Sequence, residues 1–281
     1  MAIQRIQEVI EKILNRTEAV KGRGEEATKQ AMVLPFIEQT ALYDQMETST
    51  NGFAIPWNKQ SDLTTNGLPA TFDPQPHPSE TPLAVYMCPS DPRDWRCADF
   101  WTQWIVHETR GTIFIGKSNY VAVREGRRFD VSANSNIPDI LDGIMTVRTG
   151  AGWHSFRDIT DGTSNTFAIA ERDTISAGLA LNGTPQLHDG SIWAGAFANA
   201  NMRCNTTLLA NCQPWRGQFG VRTPWYLVNG LGAESPASQH PGGCQFAFGD
   251  GSVRFVQETM DEFLQIALAS CQYGEVIPDN Y

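Results

Sequence analysis

Charge is scarce in this chain: Asp, Glu, Lys and Arg together supply 19% of its 281 residues. Basic charge is scarcer still, with 21 Lys and Arg against 31 Asp and Glu and a formal net charge of −10. Nucleic acid is gripped through clustered Lys and Arg, so that class of partner is excluded, and an anionic membrane surface is disfavoured on the same grounds. No run of about 18 apolar residues is present, so neither a transmembrane segment nor a signal peptide is expected. A leader, if the protein is exported, is expected to have been removed or to lie outside this chain. Catalytic signatures are missing as well. There is no Gly-x-Ser-x-Gly elbow, no P-loop and no His-Glu-x-x-His, and hence no visible nucleophile with its base or open metal position. The expectation is a protein that is not an enzyme and has no cofactor, with calcium the one exception considered below.

Hydrophobic residues make up 41%, ordinary globular usage, and the length suffices for one large domain with a real core. Low charge with abundant Thr, Ser, Asn, Gly and Pro suits a loop- and strand-rich extracellular or cell-surface protein. Six cysteines, Cys88, Cys97, Cys204, Cys212, Cys244 and Cys271, show no C-x-x-C spacing, which disfavours structural zinc. An even count fits three disulfides in an oxidising compartment, with local Cys88–Cys97 and Cys204–Cys212 bridges across short, turn-rich intervals. Buried thiols are the alternative, and composition leaves both open. Sequons at Asn15, Asn182 and Asn205 permit glycosylation.

Along the chain, Ala2 to Val20 reads as an amphipathic helix. Ile3, Ile6, Ile10 and Ile13 recur in steps of three and four, Val9 and Leu14 widen the stripe, and Gly22 and Gly24 offer a stop. Such a stripe must be buried, either on its own domain or on a neighbouring subunit. A second short helix is expected from Pro35 to about Met46. Residues 47–81 form a long Thr-, Asn-, Gly- and Pro-rich excursion. The division is therefore an N-terminal helical assembly segment, 1–46, and a β-rich head, 47–281. Short strands are expected over Leu83–Met87, Thr112–Ile115, Asn119–Val123, Thr166–Ala170, Ser191–Phe197 and Trp225–Val228. The clearest local signal is Cys244–Phe248, then Gly249-Asp250-Gly251, then Ser252–Val256, a hairpin around Asp-Gly. A last helix is expected over about Glu258 to Ala269, with Met260, Phe263, Leu264, Ile266 and Ala267 as its apolar side.

Several segments occur in a telling order. Leu34-Pro35-Phe36-Ile37-Glu38-Gln39 precedes Cys88-Pro89-Ser90-Asp91 and Ser118-Asn119-Tyr120-Val121. Ile159 to Thr166 and Glu171 follow, and then His240-Pro241-Gly242-Gly243, with nine residues between His240 and Asp250-Gly251. The series resembles a planctomycete prepilin-like surface family with a C-terminal His-x9-Asp-Gly signature, related to type IV pilins and type II secretion pseudopilins. The resemblance covers about Val33 to Gln257 and implies export, an N-terminal helix packed in a filament, a β-rich head and no enzymatic activity. The chain departs from that pattern at Ala2–Val20, which is amphipathic and charged, with Arg5 in place of a continuous apolar run. That fits assembly through a soluble helix better than membrane anchoring.

The candidate sites follow. His240 and Asp250 with Gly251 are family-motif positions, read as a residue before a strand and a turn whose φ > 0 demands suit Asp and Gly. Asp158, Asp161, Asn165 and Glu171 make an oxygen-rich stretch that could bind calcium, although hydrogen-bonded turns are the plainer reading. Eight tryptophans fill either the core and interfaces or a glycan-stacking platform. The expected fold is α+β and pilin-like. The expected function is a structural subunit that polymerises with copies of itself, and the alternative is a secreted carbohydrate- or solute-binding module.

Overall fold

A computed structural model describes residues 33–49, 78–92, 106–107, 111–112, 116–123, 143–144, 147–148, 152–153, 156–173, 177–179, 185–187, 191–193, 215–216, 222–223, 227–230, 235–272, 274–275 and 277. Within them the protein is α+β, with one four-stranded antiparallel sheet, two α-helices and several two-stranded ladders. The sheet consists of β1 (Tyr120–Ala122), β2 (Phe167–Glu171), β3 (Gly243–Phe248) and β4 (Val253–Gln257), in the order β4-β3-β2-β1.

The β3–β4 hairpin forms where the alternation predicts it, pairing Gly243 with Gln257 through to Ala247 with Val253. Cys244, Phe246 and Phe248 turn inward while Gln245 and Ala247 stay half-buried on the opposite face. The left-handed residue of the turn is Gly251, at φ 82°, rather than Asp250. Asp250 contributes through its side chain, whose Oδ1 accepts from the Ser252 N–H at 2.8 Å. Gly243 is required for a different reason: a Cβ there would lie 2.1 Å from the Val256 carbonyl oxygen.

β2 is entirely apolar up to Glu171 because it is a central strand, flanked by β1 and β3. Phe167 stacks on Phe246 with centroids 4.2 Å apart and meets Phe248 edge-on at 5.1 Å. With Val121, Val123, Ala170, Val256, Leu268 and Ala269 these rings form the main core. Each fully buried side chain of that size contributes roughly 1.5–3 kcal/mol.

The helix α1, Thr40–Ser49, follows a 3-10 turn at Leu34–Ile37 in which Pro35 occupies the first positions, as expected. Glu38, at φ 63°, ends that turn. Leu34, Leu42 and Met46 are buried, and the helix runs to Ser49 rather than to about Met46. The helix α2, Glu262–Ala269, begins four residues later than expected. Asp261 fixes the start by accepting from Phe263 N and Leu264 N. Its inner side is Ala267, Leu268 and Ala269, and Phe263, expected on the apolar side, is 59% exposed.

Two expected strands take other forms. Leu83–Met87 is a 3-10 turn at Ala84–Tyr86, since the N–H groups of Tyr86 and Met87 find the local carbonyls of Leu83 and Ala84. A short apolar run carries no period that separates those outcomes. Of Trp225–Val228 the structure describes Leu227 and Val228, which open a turn over 227–230 closed by the Gly230 N–H to Leu227 carbonyl bond. No helix among the described residues is long and apolar enough to cross a membrane. The Ile3, Ile6, Val9, Ile10, Ile13 and Leu14 stripe lies outside the described residues, as do Asn15, Asn182 and Asn205.

Candidate functional site

Three segments far apart in sequence meet at one end of β1 and β2, and Asn119, just before β1, joins two of them. Its Oδ1 accepts from the Cys88 N–H at 2.9 Å, and its Nδ2 donates to Asp91 Oδ2 at 2.6 Å and to the Arg172 carbonyl at 2.9 Å. The Asn119 and Arg172 main chains add a further bond, Arg172 N to Asn119 O, at 2.7 Å. Asp91 is also paired with Lys117 Nζ at 3.0 Å, both side chains almost fully buried. The Cys88-Pro89-Ser90-Asp91 turn, closed by Asp91 N to Cys88 O, is thereby fixed against the end of β2.

The third segment runs beside Glu171–Asp173. Ala237 N donates to the Glu171 carbonyl at 3.0 Å, and Asp173 N donates to the Ala237 carbonyl at 2.9 Å. Gln239 Nε2 donates to Asp173 Oδ2. Ser238 Oγ bonds the Gly243 carbonyl and accepts from His240 N, which holds the His240-Pro241-Gly242-Gly243 turn at the start of β3.

These constraints bring together Cys88, Glu171 and His240, whose donor atoms all lie within 4.8 Å of one another. His240 Nε2 is 3.6 Å from Cys88 Sγ and 3.3 Å from Glu171 Oε1. The other ring nitrogen, Nδ1, faces Ser90 Oγ at 3.4 Å. Glu171 Oε2 accepts from Gln245 N at 2.7 Å, which aims Oε1 at the cluster. Cys88 and Glu171 are buried, while the His240 side chain is 33% exposed. Tyr120, opposite Glu171 across β1 and β2, borders the group. Burial pushes its phenol up to about 12, with Cys88 and Glu171 charge adding to the shift.

A Cys–His–acid relay divides its labour between the two imidazole nitrogens, one facing the nucleophile and the other the acid. Here Nε2 faces both the thiol and the carboxylate, so the arrangement is not that of a relay. One N–H cannot serve both partners, whereas a cation placed between them meets all three donors.

Glu171 therefore belongs with Cys88 and His240, not with the oxygen-rich stretch expected to bind calcium. Asp161 Oδ1 accepts from Gly274 N, Asn165 N closes a turn on the Gly162 carbonyl, and the Asp158 carbonyl accepts from Gln272 Nε2. Among the described residues, Cys88, Glu171 and His240 are the group of three His, Cys, Asp or Glu side chains whose ligand atoms all come within 4.8 Å of one another.

Of the two readings open for Cys88, a bridge to Cys97 or a buried thiol, it takes the second, with its sulfur directed at His240. Cys244 and Cys271 are likewise buried as thiols, not half-cystines. Cys97, Cys204 and Cys212 lie outside the described residues. Asp250 and Gly251 stay in the hairpin turn, away from their motif partner His240. Of the tryptophans, Trp193 is a core residue that donates to the Thr81 carbonyl at 2.8 Å and so is no part of a stacking platform.

Sequence reasoning missed Ser90, Lys117, Asp91 and Asn119 as supporting residues, and read Cys88 as a half-cystine or buried thiol rather than as a partner of Glu171 and His240. The available signal was the ordered series of segments, which contains most of the converging residues.

Neither the curated proteins nor the solved structures hold a match to this chain. A family model described as "Protein of unknown function (DUF1559)" matches residues 18–262, a span that takes in α1, the whole sheet and every residue of the Cys88, Glu171 and His240 cluster. With most of its length inside that match, the chain belongs to the DUF1559 family.

Proposed function

We propose that the protein is a non-enzymatic, pilin-like structural subunit that assembles with copies of itself into an extracellular or cell-surface filament. The observation that carries this reading is the state of β4. Among the described residues it is an edge strand of the sheet, and its outward side chains Val253 and Phe255 are 57% and 43% exposed. Soluble proteins blunt such edges with charge, proline or a covering segment, because an open apolar edge invites pairing with another chain. Arg254, the charge available on this strand, is instead stacked over the Phe248 ring at 4.3 Å.

The occupant we assign to the outward face at this edge, formed by Val253 and Phe255, is a second copy, contributing the Ile3, Ile6, Ile10 and Ile13 stripe. The stripe needs an apolar seat, and β4 offers one. A patch on the head and a stripe at the other end of the chain make a heterologous contact, which propagates into a fibre unless its rotation closes. Val253 and Phe255 are already about half covered, so burying what remains exposed would contribute about 1.5–3 kcal/mol before association costs.

Negative-stain electron microscopy of the full chain tests the reading. Filaments are expected from the unmodified protein, with assembly lost in Ile6→Asp/Ile10→Asp and weakened in Phe255→Asp. Discrete monomers at all concentrations, or filaments indifferent to these changes, would overturn it.

A further inference from the structure

We infer that Cys88, Glu171 and His240 form a binding site for one Zn2+ ion per chain. Zinc binds thiolate at about 2.3 Å, imidazole at about 2.0–2.1 Å and carboxylate at about 2.0–2.2 Å, usually tetrahedrally. A tetrahedron with those bond lengths has a sulfur–nitrogen edge of about 3.5 Å and a nitrogen–oxygen edge of about 3.4 Å. The corresponding distances here are 3.6 Å and 3.3 Å. The remaining edge, from Cys88 Sγ to Glu171 Oε1, is no longer than 4.8 Å, so closing the triangle takes about 1 Å of side-chain movement at most.

The donor chemistry selects the ion. Calcium and magnesium take oxygen ligands, and a set containing thiolate and imidazole does not suit them. Thiolate, imidazole and carboxylate together suit a borderline divalent transition ion in tetrahedral geometry. The supporting contacts are those such a site needs. With its proton on Nδ1, donated toward Ser90 Oγ, His240 presents the Nε2 lone pair inward. The Gln245 N–H holds one carboxylate oxygen and leaves the other to the ion. On binding, the Cys88 thiol gives up its proton to solvent, and two anionic ligands neutralise the dication. The exposed flank of His240 gives the ion its path in and leaves the fourth position to water.

The test uses the full chain, stripped with a chelator and titrated with Zn2+ alone by calorimetry, with metal content measured after gel filtration. One ion per chain is expected, with affinity reduced a hundredfold or more in Cys88→Ser and in His240→Gln, and unchanged in Asp158→Asn/Asp161→Asn. Co2+ bound in place of Zn2+ should give a sulfur-to-cobalt charge-transfer band, absent in Cys88→Ser. Should Cys88→Ser not fold, the partly exposed His240→Gln and the cobalt band of the unmodified protein decide the matter. Substoichiometric zinc, cobalt bound without the sulfur band, or unaltered affinity in His240→Gln would overturn the assignment.

Discussion

Two polar clusters share the Cys88–Asp91 turn, and they are built in opposite ways. The first, Asp91 with Lys117 and Asn119, is closed. A cation faces an anion, the Asn119 amide spends both its donor and acceptor sides within it, and the side chains of the ion pair are 1% and 2% exposed. The second, Cys88 with Glu171 and His240, is open. Two acidic groups converge on one imidazole nitrogen, and a third of the His240 side chain reaches solvent. A closed cluster holds the backbone in place and has nothing left to bind. An open cluster held rigid by its neighbour has converging donors and a route for an ion. The first serves as scaffold for the second.

The closed cluster is disturbed most severely by a change at Lys117. Lys117→Met takes from the buried Asp91 carboxylate the ammonium it faces at 3.0 Å, and removing one partner of such a pair costs about 3–5 kcal/mol. Chemical denaturation should show that loss as a lower midpoint. The double variant Lys117→Met/Asp91→Leu removes both charges and should recover most of the loss, because replacing a whole buried pair by apolar groups is often near neutral. If the double variant is as unstable as the single one, the pair is a necessary part of the fold and not merely internally compensated.

Asn119→Ala is the next largest, and it touches both clusters. The Cys88 N–H and the Arg172 carbonyl each lose a partner, at about 1–3 kcal/mol for a buried group left unsatisfied. Because the Cys88 backbone is no longer tied to the β1 entry, Zn2+ affinity should fall with stability, by about tenfold or more. A calorimetric titration that finds unchanged affinity in a destabilised Asn119→Ala protein would show the two clusters to be independent.

What the sequence made legible divides along the same line. The β3–β4 hairpin was readable because its alternation and its Gly249-Asp250-Gly251 turn are adjacent in the chain. The last helix was readable in outline, and the side-chain cap at Asp261 set its true start. The open cluster has no such local pattern. Spacing along the chain offers Cys88 a bridge to Cys97 or a buried thiol, groups Glu171 with Asp158 to Asn165, and places His240 before the strand that follows it. Each of these readings rests on neighbours in sequence, whereas the partners of His240 lie 69 and 152 residues off. The juxtaposition depends on β2 running between β1 and β3, and no local pattern states that order.

The smallest change in stability gives the sharpest division between the clusters. Ser90 lies in the shared turn, between Cys88 and Asp91, and its hydroxyl stands 3.4 Å from His240 Nδ1. That distance is long for a hydrogen bond, and the residue is only partly buried, so Ser90→Ala should alter stability by no more than about 0.5 kcal/mol. Its effect belongs to the open cluster alone. Without the hydroxyl the imidazole loses the contact that sets its proton on Nδ1, and an outer-shell partner of this kind is worth about 10- to 100-fold in metal affinity. The long contact places Ser90 at the tenfold end of that range. Ser90→Thr, which keeps the hydroxyl, should restore Zn2+ binding. A Ser90→Ala protein that loses stability in the absence of metal, as Lys117→Met does, would instead place Ser90 in the closed cluster and take from the open one its means of orienting His240.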